Sequence, residues 1–222
     1  MKQWSKRVLA AAAVLVIPLV AVAQDLPRVQ VMRKTNGATI TMQSGTLTAT
    51  QILTRDGFEL ELANDVDIVS LKANLAGRVS VARGGRMLWF SIRDLASGDW
   101  TTAAAWLAAS PVVRQFDRVM SRWPPGTSGA ILFRAAHSVL GTLRGDDAAL
   151  RVLMASEAPR AAMRLVRDDP NGCVSAYERT FSELVSEMES CANEGNPFKT
   201  AYCAYAFNLK VTQALVEFFG CI

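Results

Sequence analysis

Four cysteines near the carboxyl end restrict the fold of this chain more than any other feature. Cys173 and Cys191 stand 18 residues apart, and so do Cys203 and Cys221. Eighteen residues make five whole turns of an α-helix at 3.6 residues per turn, so each pair falls on one face of its own helix. A rise of 1.5 Å per residue puts the two members about 27 Å apart, whereas a disulfide spans roughly 4.4 to 6.8 Å between Cα atoms. The bonds must therefore cross from one helix to another.

The stretch between the two pairs supplies a sharp reversal. In "CANEGNPFKTAYC", residues 191–203, Gly195 suits a helix end, Asn196 an N-cap and Pro197 a first helical position. Cys191 and Cys203 are centred on Pro197, and so are Cys173 and Cys221, as residues at one level of an antiparallel hairpin must be. Of the three connectivities open to four cysteines, distance excludes one and the short turn excludes the parallel one. The sequence thus predicts a doubly crosslinked helical hairpin, with Cys191–Cys203 at its tip and Cys173–Cys221 at its base. Apolar residues stepping by three and four, Val174, Tyr177, Phe181, Leu184 and Met188 against Ala204, Phe207, Val211, Ala214 and Phe218, give the two helices a seam. A zinc site would not predict these equal spacings, and no histidine accompanies them.

The second of these helices also carries Tyr205, Leu209, Val216 and Phe219 away from the seam, leaving a narrow polar stripe of Lys210, Gln213 and Glu217. A helix apolar on two sides must be covered on both. The expectation is that this second face packs on the other helices or on a sheet. The alternative is an interaction face for a partner or a membrane, and any membrane contact would come through this hairpin alone.

Disulfides imply an oxidising compartment, and the opening residues agree. "MKQWSKRVLAAAAVLVIPLVAVAQD" places Lys2, Lys6 and Arg7 before an apolar run from Val8 to Val20 and a small-residue exit, which reads as a signal peptide cleaved after Ala23. The run is shorter than the roughly 20 residues of a spanning helix, and no later segment is as long without charges. No cysteine follows it for lipid attachment. A secreted or periplasmic protein without a transmembrane helix in its mature chain is expected. Loss of three basic residues with the leader changes 24 basic and 20 acidic residues to 21 and 20. So balanced a chain is a poor match to nucleic acid, whose binding needs clustered positive charge.

Residues 24–95 read as an antiparallel β-meander of six or seven strands. Apolar residues alternate in "ATITM", "FELEL" and "RVSVA". Between them fall Asn36-Gly37, Ser44-Gly45, Asp56-Gly57, Asn64-Asp65, Ala76-Gly77 and Gly84-Gly85, whose second residues are 8, 12, 8, 12 and 8 apart. This amounts to one hairpin per 20 residues, three times over, with the alternation slipping by one residue in the third. Residues 96–169 change to a helical period, with helices expected over about 100–109, from Pro111 capped by Ser110, over about 128–143 and 148–155, and from Pro159. Residues 170–222 are the hairpin. The fold class is α+β, a meander followed by an all-helical region.

Residues suited to catalysis are scarce. His137 is the only histidine, and a helical projection puts it with Arg134, Ser138 and Gly141 on the polar side of its helix, opposite Leu132, Ala135, Ala136, Val139 and Leu143, as an exposed bystander. The acyl-transfer pattern G-x-S-x-G is absent, since "GTSG" lacks a position. There is no phosphate loop, no H-E-x-x-H, no C-x-x-C and no motif that implies a cofactor. Glu59, Glu61, Asp65 and Asp67 form the one carboxylate cluster, a weak candidate for calcium or for a pair of hydrolytic carboxyl groups. "RGD" at 144–146 sits where a turn and helix cap are required. The sequence leads to an exported, non-catalytic binding or structural protein whose partner is a protein or other envelope component, with a membrane-active hairpin and a carboxylate-based hydrolase as alternatives.

Overall fold

The computed structural model describes residues 26–34, 37–54, 56–74, 76–91, 98–124, 128–146, 171–192 and 197–221, with isolated positions at 148, 151 and 154. The leader and the helix expected from Pro159 lie outside the described residues, as do Gly195 and Asn196, and the helix expected near 148–155 is described only at those isolated positions.

Seven strands form one antiparallel sheet in sequence order: β1 (Arg28–Lys34), β2 (Gly37–Ser44), β3 (Leu47–Thr54), β4 (Gly57–Ala63), β5 (Ile68–Asn74), β6 (Arg78–Arg83) and β7 (Arg86–Ser91). The alternation becomes two faces. Ala38, Ile40 and Met42 pair across to Leu53, Gln51 and Ala49, and these to Phe58, Leu60 and Leu62, all of them buried. The opposite face carries Thr39, Thr41, Thr48, Thr50, Glu59, Glu61, Lys72 and Trp89. Gly84 and Gly85 join β6 to β7 with φ of 56° and 75°, the left-handed pair that a two-residue hairpin turn needs. The slip in the third repeat has a local cause. Residues 75–77 separate β5 from β6, where two residues, 35–36, separate β1 from β2, so the extra one moves the inward positions to Val79 and Val81.

The described helices lie on the apolar face. α1 (Gly98–Ala109) touches β7, and α2 (Pro111–Arg122) lies on β3, β4 and β5. Ser110 caps α2 by accepting from the Val113 amide at 3.3 Å, with Pro111 in the first turn. α3 (Ser128–Arg144) packs on α1 and α2. The hairpin helices are α4 (Cys173–Ala192) and α5 (Pro197–Cys221), and α5 packs on β2, β3 and β4 as well as on α3 and α4. One continuous core joins the sheet, the first three helices and both arms of the hairpin. No helix among the described residues is long and apolar enough to cross a membrane.

Candidate functional site

Both predicted crosslinks are present, Cys173–Cys221 with Cα atoms 5.8 Å apart and Cys191–Cys203 with 6.1 Å. Along the seam, the Tyr177 and Phe218 rings lie 5.6 Å apart, and Phe181 and Phe207 lie 6.2 Å apart. The other face of α5 is covered internally. Tyr205, Leu209 and Val216 are buried, and the Tyr205 hydroxyl donates to the Asn74 carbonyl at the end of β5, at 3.0 Å. Burial pushes that phenol well above its ordinary pKa. These three residues therefore do not form the open interaction face offered as the alternative; the sheet and α3 need them. The side chain of Phe219 lies outside the described residues.

Glu59 and Glu61 do not converge with Asp65 and Asp67, which line one cleft at the β4–β5 and β6–β7 turns. Glu59 pairs with Lys72 at 3.0 Å on the open sheet face, where Glu61 is exposed. Asp67 turns to the helical side, accepting from Ser110 Oγ at 2.6 Å and from Arg83 Nε at 3.1 Å. Burial alone would raise this carboxyl, but the hydrogen bonds from Ser110 and Arg83 outweigh it and hold the pKa below the ordinary value. Arg83 also donates to the Trp106 carbonyl at 3.0 Å. Asp67 thus fastens the sheet to the corner between α1 and α2, and is engaged too fully to serve calcium or hydrolysis. Among the described residues no group of three or more His, Cys, Asp or Glu is placed to hold a metal.

His137 is no bystander. Its Nε2 lies 3.0 Å from Asp117 Oδ1, and Arg144 holds the same carboxylate through two nitrogens at 2.6 and 3.0 Å. Burial favours the neutral acid, yet hydrogen bonds from His137 and Arg144 keep the Asp117 carboxyl below its usual range. With its carboxylate clamped by an arginine, the pair works as a tie between α2 and α3. Arg134 and Ser138, placed on the same polar side by the projection, are buried. The helix is enclosed on nearly every side, and the projection missed this.

The site that sequence reading passed over lies beside α2. Gln115 donates to Thr46 Oγ1 at 3.3 Å and accepts from Asn64 Nδ2 at 2.8 Å, tying the helix to the β2–β3 and β4–β5 turns. The space left between α2, the β2–β3 turn and the segment leading into β1 is an open cleft of about 390 Å³. Leu26, Val119 and Trp123 give it an apolar lining, and Arg118 and Arg122 give it charge. The signal available in advance was the spacing of Arg114, Arg118 and Arg122 in "PVVRQFDRVMSR", one row of like charge on one helix.

The chain matches no known protein family, no curated protein and no solved structure. Function has to be argued from these surfaces alone.

Proposed function

We propose that the chain is an exported, non-catalytic binding or structural protein of the periplasm or extracellular space, engaging a protein or other component of the cell envelope. The observation that carries this reading is the placement of α5. Crosslinked twice to α4, it covers β2, β3 and β4 on the apolar face of the sheet, so the covalent staple reaches the sheet through α5 as well as closing the hairpin. Such a body presents surfaces without having to rearrange. The basic leader with its apolar run supports export, and the two disulfides suit an oxidising compartment. Among the described residues the open surfaces include the outer sheet face, the cleft beside α2 and a second cleft at the β4–β5 and β6–β7 turns.

The test is retention of a partner. Immobilised protein, oxidised and freed of its leader, is expected to hold a component of envelope extracts reproducibly and to release it to soluble competitor. Recovery of nothing above an inert control would overturn the reading. Leakage from dye-loaded vesicles treated with the intact protein would instead favour membrane activity, which requires α5 to leave the sheet.

A further inference from the structure

The row of arginines on α2 lacks the partners that would explain it. Arg114 donates to the Ala108 and Ala109 carbonyls, at 3.3 and 3.1 Å, and so closes the end of α1. Arg118 uses its Nε on the Arg114 carbonyl, at 3.3 Å, which leaves its two terminal nitrogens. The one acidic residue of the helix, Asp117, is taken by His137 and Arg144. Among the described residues no carboxylate pairs with Arg118 or Arg122. Like charges four residues apart weaken a helix. The last-turn position of Arg122 suits the helix dipole, but that does nothing for Arg118.

Arg118 and Arg122 both line the cleft, and its other wall is preorganised. Trp123 is almost wholly buried because its ring lies on Gly129, where an added Cβ would come within 2.4 Å of it and 2.8 Å of Val29. The edge of Trp123 that reaches the cleft, together with Val119 and Leu26, forms an apolar floor below the two charges. A volume of about 390 Å³ suits a small molecule. A single guanidinium can hold a carboxylate or phosphate through two parallel hydrogen bonds, and a second one beside it adds charge.

We infer that this cleft binds a small anionic amphiphile, its carboxylate or phosphate head between Arg118 and Arg122 and its apolar part on Trp123, Val119 and Leu26. The inference rests on the reading of the chain as a binding protein, and names a ligand for one of its open surfaces. The head can belong to a free acid or to a lipid, and the experiment separates the two.

Calorimetric titration of the oxidised protein with decanoate, with inorganic phosphate and with phosphatidylglycerol vesicles supplies the arms. Saturable binding of decanoate, competed by phosphate, is expected for a free acid; vesicle binding without decanoate binding assigns the head to a lipid. In either case Arg118→Gln with Arg122→Gln should weaken binding at least about tenfold while the thermal midpoint stays within about 2 °C, a surface change being close to neutral for stability. Trp123→Phe supplies a second variant, expected to weaken decanoate more than phosphate. Absence of binding in all three arms, or binding unaffected by the arginine changes, overturns the inference. An envelope partner that the double variant still captures leaves the binding-protein reading standing while the cleft ligand falls, so the two fail separately.

Discussion

Asp117 shows what the side chains of this protein contribute singly. Its folded pKa is depressed, so its stabilising contribution is present above the unfolded carboxylate value near 3.9 and is lost as pH falls through the lower, folded value. Acid titration of unfolding should therefore show the wild type losing stability below about pH 4 more steeply than Asp117→Asn, which starts lower. At neutral pH the substitution should cost roughly 1.5 to 3 kcal/mol, the scale of hydrogen bonds to charged groups, measured by denaturant unfolding. Gly129→Ala should cost about 1 to 3 kcal/mol by overpacking Trp123, with a change in tryptophan emission. Neither residue stood out in the sequence, because what each one meets, Arg144 for Asp117 and the Trp123 ring for Gly129, is set by packing between elements. Thr142 and Thr212 bond the carbonyls four residues back, Ser138 and Asn208, and Asn208 bonds that of Ala204. Polar side chains that satisfy themselves on their own helix can be buried without a partner. A projection that equates polar with exposed misplaces His137, which Asp117 of α2 partners, and also Arg134 and Ser138, which are buried although Arg134 Nε and Ser138 Oγ find no hydrogen-bond partner among the described residues.

The elements themselves were legible, because period and punctuation specify them locally. The strands followed from alternation and turn pairs, the start of α2 from Ser110 and Pro111, and the hairpin register from cysteines centred on Pro197. The slipped phase of the third repeat was visible as well, but its origin in one additional turn residue needed the pairing of Ala73 with Val79. The crosslinks belong to this scale. In the chain-entropy model the base bond, closing 48 residues, should contribute about 4 kcal/mol and the tip bond, closing 12, about 3 kcal/mol. Replacing Cys173 and Cys221 by serine should thus lower stability more than replacing Cys191 and Cys203. Equal losses in denaturant melts would show that strain or residual structure governs instead. Peptide mapping without reduction should join Cys173 to Cys221, and a link from Cys173 to Cys203 would contradict the register.

At the scale of the molecule, α5 is shared. Its seam side belongs to the hairpin, where Phe181, Leu184, Met188, Phe207 and Val211 form a cluster of their own, and its other side joins the core of the sheet. Unfolding followed by far-ultraviolet circular dichroism and by tryptophan emission should give coincident transitions; two separated midpoints would mean that the sheet holds alone. That sharing was only half readable. Two apolar sides announced that α5 must be covered twice, but nothing local says which strands do the covering, since that depends on residues more than a hundred positions away. The same arrangement sets a schedule for synthesis. A chain made from its amino terminus completes the meander well before the helix that shields β2, and Ile40 and Met42 on that strand meanwhile face water or a chaperone. A newly made sheet therefore keeps part of its apolar face open until the last helix arrives.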